Sequence, residues 1–247
     1  MGSAEDQSIQ CAVDYWEIRD EYSHLHESEK VFLPRILFPG AKVLDVGCAS
    51  GGFFNIMRTL EPLIEYTGVD IAEPAIALAR QKYPDGNFEV IDGIDLPYED
   101  NTFDIVHCTK VLVNEPRYKE ILTEMYRVSK RFVIIDIRLL KDIGSEQDFQ
   151  KSFYKVQPTN GRSEFTVPYV VNDADEVAEF VLQLNPRPKA LRGTGYFHSV
   201  ADVAETPYSE VCMTILFVQK GNGENGATEI DLGDLPIEFS VSRSSCT

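Results

Sequence analysis

Between residues 41 and 138 the apolar positions follow two alternating rhythms. Short, nearly unbroken runs such as Val43-Leu44-Asp45-Val46, Ile105-Val106 and Phe132-Val133-Ile134-Ile135 are separated by stretches with apolar residues three and four apart, such as Phe53, Phe54, Ile56, Met57 and Leu60. The first rhythm suits a strand covered on both faces, and the second suits a helix with one buried face. The spacing predicts strand 42–46, helix 51–60, strand 64–70, helix 73–83, strand 87–92, strand 103–109, helix 115–128 and strand 131–137. Such an order makes an α/β fold with a doubly wound, mostly parallel sheet and helices on both faces, and puts any ligand at the carboxyl ends of the strands.

Outside this block the pattern is less regular. From Ala12 to Leu37 helical spacing (Tyr15, Ile18, Tyr22, then Val31, Phe32, Ile36) predicts one or two amphipathic helices, a cap over residues 1–40 ending at Pro39-Gly40. The alternation lapses after Leu139. Aromatic residues (Phe149, Phe153, Tyr154, Phe165, Tyr169) stand among polar ones with a turn at Asn160-Gly161, and Ser163 to Val171 reads as a short strand or hairpin. We take 139–171 as an insertion within a main domain spanning 41–220. A helix over 173–184 and strands at 190–197 and 210–220 complete that domain. Residues 221–247 read as a linker and polar tail, mobile or docked elsewhere.

Chemistry concentrates at the predicted strand ends. The first strand runs through Asp45 into Gly47-Cys48-Ala49-Ser50-Gly51-Gly52, a turn whose small residues let main-chain N–H groups approach a ligand. Gly68-Val69-Asp70-Ile71 places a carboxylate at the end of the second strand, where it can accept the two hydroxyls of a ribose or cap the next helix. Asp92-Gly93-Ile94 follows the third strand, and Phe103-Asp104-Ile105-Val106-His107-Cys108 forms the fourth. In order and spacing these four segments resemble those of class I S-adenosylmethionine-dependent methyltransferases, of the methyltransferase type 11 kind, over roughly residues 43 to 138. The glycine loop alone also fits a relaxed dinucleotide fingerprint.

The resemblance implies a Rossmann-like sheet of seven strands with an antiparallel strand near the edge, which residues 210–220 would supply. It also implies S-adenosyl-L-methionine as cofactor. Gly47, Cys48, Ala49 and Gly51 would hold its methionine portion, with Asp45 ordering the loop or meeting the ammonium. Asp70 would fix the ribose, Ile71 would pack on adenine, and Asp92, Gly93, Ile94 and Cys108 would complete the pocket. Many relatives have Leu-Glu-His after the fourth strand, but here Leu112-Val113-Asn114 stands there, so no general base carries over. Asp136 and His198 are the candidate catalytic groups, with His107, His24, His26 and Tyr154 behind them. Tyr154 and Tyr169 of the insertion are the candidate acceptor contacts. The implied acceptor is a hydroxyl or amine of a small molecule, a sugar or glycan intermediate being one choice. A silent cofactor-binding module and a nicotinamide-dependent oxidoreductase are the alternatives.

Composition narrows the partners. Forty acidic residues against 23 basic ones give a net charge of −17, which disfavours a nucleic-acid partner. The five cysteines (Cys11, Cys48, Cys108, Cys212, Cys246) are odd in number and scattered, so they read as free thiols of a reducing cytoplasm, with no metal site expected. No apolar run reaches the roughly 18 residues of a membrane span, and no integral membrane contact is expected.

Overall fold

The computed structural model describes residues 21, 23, 25, 27–144, 148–156, 164–222 and 226–240. The expected N-terminal helices fall partly outside this set. Its described portion is a helix, α1 (Glu27–Ile36). His24, His26, the Asn160-Gly161 turn and the last seven residues of the tail also lie outside it.

The alternating block forms as its apolar rhythm predicts. Strands β1 (Lys42–Val46), β2 (Glu65–Asp70), β3 (Asn87–Val90), β4 (Phe103–Cys108) and β5 (Ser129–Leu140) are joined by helices α2 (Gly52–Leu60), α3 (Glu73–Lys82) and α4 (Tyr118–Val128). The five strands pair in parallel in the order β3-β2-β1-β4-β5, and the order reverses between β1 and β4. Residues two apart on a strand share a face. Val43, Ile105 and Ile134 therefore pack with Phe53, Ile56 and Met57 of α2 and Ile76 of α3, while Leu44, Val106 and Ile135 pack with Ile121, Leu122 and Met125 of α4. Each fully buried aliphatic side chain contributes about 1.5–3 kcal/mol, so both faces hold the sheet.

The second half departs from the simple repeat. The stretch read as an insertion holds β6 (Phe153–Val156) and β7 (Phe165–Pro168), and β10 (Ala204–Glu205), from outside that stretch, joins them in a small antiparallel sheet. A short β8 (Asn172–Asp173) pairs with the end of β5, and the Asp173 carboxylate then caps α5 (Ala174–Leu182) by accepting from the N–H groups of Asp175 and Glu176. Strand β11 (Glu210–Gln219) runs antiparallel to β5 and to β9 (Ala190–Ser199). The main sheet has nine strands among the described residues where the resemblance implied seven. Besides β8, the extra strand is β12 (Glu229–Asp234), which lies in the stretch read as polar tail and pairs in parallel with β9. Leu232, Leu235 and Ile237 are buried there, and a Cβ on Gly193 would stand 2.6 Å from Leu235, so the absence of a side chain is what admits the segment. At the other end Lys220 donates to the carbonyls of Tyr126, Arg127 and Ser129, satisfying the last turn of α4.

Candidate active site

A cavity of about 270 Å³ opens over the carboxyl ends of the parallel strands at the point where the strand order reverses, and its walls include Gly47, Ala49, Asp70, Ile71, Asp92 and Lys110. The β3 and β2 side supplies Asp92 and Asp70. The β4 side supplies Lys110, Val111, Asn114, Glu115 and Arg117.

The loop after β1 is fixed by close approach. Gly47 has φ 77°, and a Cβ there would lie 2.1 Å from Val111 Cγ2, so both backbone conformation and space demand glycine. Gly51, with φ 82°, turns the chain into α2. The expectation that loop N–H groups point at a ligand is corrected at three positions. Gly47 and Cys48 donate to the Val69 carbonyl (2.8 and 3.0 Å), and Ala49 donates to Asp70 Oδ2 (2.9 Å). Those donors are satisfied within the protein because β2 ends directly beneath the turn, so there the loop offers a ligand shape more than hydrogen bonds.

Asp70 is the better-placed polar group. Its two oxygens accept from Ala49 N–H and Ala72 N–H (2.8 Å), so it orders the glycine loop and caps the segment before α3. Each carboxylate oxygen keeps a second acceptor position. Burial pushes its carboxyl above the usual aspartate range despite the N–H groups of Ala72, Ala49 and, more weakly, Ile71, so further donors would stabilise the ionised form. A pair of ribose hydroxyls would meet that need. Beside it Ile71 leaves 60 % of its surface exposed at the cavity, an apolar face that a flat ring would cover. Asp92 is exposed, and its Oδ1 accepts from Ile94 N–H (3.1 Å) while the other oxygen faces no described partner. These features fit an adenosine-bearing cofactor.

Other residues expected at the site stand elsewhere. Asp45 shares a sheet face with Val43 and does not reach the cavity. It lies sealed against α2, accepting from Tyr66 Oη (2.5 Å), with His107 Nδ1 2.7 Å from its other oxygen. Burial pushes the Tyr66 phenol up, with the Asp45 charge adding to it. Cys48 and Cys108 are buried in the core, on opposite faces of the sheet and not among the cavity walls, and burial raises both thiols well above the usual range. Gly93 lines the cavity, whereas Ile94 packs into the core on the α4 side. His198 sits on β9 opposite Val211, its Nδ1 2.7 Å from the Ser199 carbonyl, away from the cavity walls.

Asp136 is fully buried at the cavity's β5 side. Its Oδ1 accepts from the Lys110 N–H (2.7 Å), and its Oδ2 is 3.3 Å from Lys110 Nζ. Tyr154 and Tyr169 do not reach the cavity either. Both engage Arg138, whose Nη2 donates to Tyr154 Oη (2.7 Å) and whose guanidinium lies 3.9 Å from the Tyr169 ring centre. Arg138 also donates to the Val113 carbonyl, as does Val170 N–H (3.0 Å). Asn114, with its amide turned to suit its neighbours, donates to Val113 O and to Pro168 O at 3.3 Å. The insertion thus braces the wall formed by residues 110–117 from behind. Lys110, Val111, Glu115 and Arg117 were missed from the sequence. The available signal was the irregular run between Cys108 and the apolar face of α4.

A parallel sheet with a cavity at its switch point, a glycine turn and a carboxylate suited to ribose defines a Rossmann-like protein with a site fitted to an adenosine-bearing cofactor. A family described as the methyltransferase domain matches residues 37–182, more than half of the chain, and the chain belongs to that family. Fold and family together are those of the class I S-adenosylmethionine-dependent methyltransferases, which sets aside the nicotinamide alternative. Demethylmenaquinone methyltransferases of Listeria welshimeri and Bacillus subtilis are 34 % and 30 % identical over 132 residues, half of this chain and 56 % and 57 % of theirs. The chain therefore spans only about half the length of these curated relatives. Two solved structures share the fold. An S-adenosylmethionine-dependent methyltransferase from Methanosarcina mazei has TM-score 0.53 and 19 % identity, over 79 % of this chain and 98 % of that one. A putative methyltransferase from Bacillus halodurans has TM-score 0.55 and 14 % identity, over 79 % and 99 %.

Proposed function

We propose that the protein methylates a small molecule carrying a hydroxylated planar ring, with the cofactor's adenosine seated on Asp70, Ile71 and Asp92 and the acceptor meeting it on the β4 and β5 side. The observation that carries this reading is the division of one cavity into two ends. The β2 and β3 end has carboxylates and apolar faces suited to a nucleoside, and the β4 and β5 end has Lys110, Val111 and Asn114. The name of the listerial and bacillar relatives supports a quinol-type ring over the sugar or glycan first considered.

The bound cofactor supplies an activated methyl group. The protein's part is to hold the acceptor in line with it and to keep water out, which can lower the barrier by several kcal/mol without a covalent enzyme intermediate. Gly47 and Val111 set the width of the cavity between the two ends, and the braced wall from Lys110 to Arg117 fixes the acceptor's approach. Three described cysteines (Cys48, Cys108, Cys212) are buried and unpaired, which supports a reducing compartment, and we place the protein in the cytoplasm. No helix among the described residues is long and apolar enough to cross a membrane.

The test is transfer of labelled methyl from S-adenosylmethionine to a panel of naphthoquinols, phenols, amines and sugars. Transfer to the ring compounds alone is expected. Transfer confined to sugars or amines overturns the acceptor class, and binding of S-adenosylhomocysteine with no transfer to any acceptor leaves a silent module.

A further inference from the structure

We propose that Lys110, held by Asp136, is an oxyanion subsite at the acceptor end of the cavity, so that the acceptor is taken with an acidic ring hydroxyl ionised. The inference rests on the methyl-transfer reading and names the charge state of its substrate.

Four observations meet at this residue. Lys110 lines the same cavity as Gly47 and Asp70, but on the opposite side of the strand-order switch. Its backbone is left-handed, with φ 65°, a conformation that side-chain-bearing residues rarely adopt and that other contacts must hold in place. The contact that holds it is the N–H bond to Asp136 Oδ1. The ammonium of Lys110, whose side chain is 15 % exposed, lies 3.3 Å from Asp136 Oδ2, yet that oxygen receives no hydrogen bond. The pair is therefore an ion contact without a directed bond. Among the described residues the ammonium donates no hydrogen bond, so its protons remain available to a ligand oxygen.

The surrounding charges do not cancel this one. Arg117 and Glu115 on the same wall bind each other through two N–H···O contacts of 2.8 and 2.9 Å, and that pairing holds the Glu115 carboxyl below its usual range. Asp70 and Asp92 lie at the nucleoside end, and the Asp45–His107 pair is sealed behind β1. Asp136 balances Lys110 electrostatically, which lets a cation sit in a mostly buried place. An anionic acceptor adds a second partner on the open side.

The chemistry balances with no further reagent. The acceptor hydroxyl gives its proton to solvent on entering the subsite. Its oxygen, or a ring carbon conjugated to it, then bonds to the methyl carbon as the carbon–sulfur bond breaks and its electron pair stays on sulfur. Anion and sulfonium are both neutralised. When ring carbon is the nucleophile, its proton leaves to solvent as the ring regains aromaticity.

The probe is 4-nitrophenol, whose anion absorbs visibly and whose neutral form does not, titrated against the full chain with S-adenosylhomocysteine present. The bound probe is expected to ionise about one pH unit or more below the free probe, a tenfold shift in the equilibrium. Lys110→Met should abolish the shift, and Lys110→Arg should keep most of it. Because Lys110→Met strands a buried carboxylate at a cost to folding, Lys110→Met combined with Asp136→Asn removes both charges and should also abolish it. Calorimetric affinity for S-adenosylhomocysteine should stay within about twofold in all three, under half a kcal/mol. The subsite is overturned if wild-type protein causes no shift at millimolar probe, or if the double variant causes the same shift as wild type. Failure with S-adenosylhomocysteine still bound and methyl transfer intact removes the subsite alone. Loss of both removes the methyl-transfer reading as well.

Discussion

Two carboxylates on adjacent regions of the sheet each hold a basic side chain, and they differ in what covers them. Asp45 and His107 are about 1–2 % exposed and 2.7 Å apart, with Tyr66 completing the carboxylate's partners and Phe53 packed 4.4 Å from the imidazole. Asp136 is equally buried, but Lys110 is open to the cavity and their closest side-chain contact is longer, 3.3 Å. The first pair is closed on itself, so its chemistry is spent on the fold. The second leaves a charged group with unfilled donors where a ligand can arrive. The contrast teaches that a charged pair near a cofactor loop is informative only when one member faces space.

The comparison can be broken most sharply at Asp45. Asp45→Ala should strand the Tyr66 hydroxyl and His107 in the core and cost about 3–5 kcal/mol in denaturant unfolding. S-adenosylhomocysteine affinity of the folded fraction should stay within about twofold, and a tenfold loss would mean that Asp45 touches ligand after all.

At the open side Asp70→Ala should do the reverse. It removes up to two charge-assisted hydrogen bonds worth roughly 1.5–3 kcal/mol each before water compensates, so calorimetry should show cofactor affinity at least tenfold weaker. Unchanged affinity would leave Asp70 as a loop and helix cap only. The pH dependence has a definite sign. Because burial raises the folded-state value, Asp70's favourable contribution is complete below the ordinary aspartate range and is lost as pH rises through the raised value. Asp70→Asn should flatten that part of the stability profile of the ligand-free protein.

Smaller changes sharpen the contrast. Tyr66→Phe takes one donor from Asp45 and should cost about 1–3 kcal/mol of stability with no effect on cofactor binding. Tyr154→Phe removes the hydroxyl that accepts from Arg138 and should cost about 0.5–1.5 kcal/mol. Acceptor KM should change by less than about twofold, since Tyr154 braces the wall from behind; a larger rise would return it to the acceptor site.

Much of the first half was legible because its signals are local. Unbroken apolar runs marked β1, β4 and β5, and glycine and carboxylate at successive strand ends marked the cavity. The side that a carboxylate faces was harder to read. Asp45 looks like a loop-ordering group in the sequence, and only pairing with His107 across β4 shows that it points the other way. Lys110 carried only the weak signal of lying in an irregular run, since its place depends on a left-handed backbone and a partner 26 residues on. Strand β12 escaped because Glu229–Asp234 is short, half acidic and joins the sheet at an edge, so only Ile230 and Leu232 carry its apolar signal. The insertion's aromatics read as an acceptor surface, but the buried Arg138 beneath them claims their faces.

The position of β11 bears on how the chain comes off the ribosome. Strand β5 is among the most apolar segments, and its far edge is covered by β11, whose first residue lies 70 positions after the last of β5. The cofactor half can fold while β5 still presents bare backbone along that edge, a template for pairing with another nascent chain. The carbonyls at the end of α4 wait as long for Lys220. Synthesis thus leaves a sticky interval between residues 140 and 220, and a chaperone that shields extended apolar strands would be needed most there.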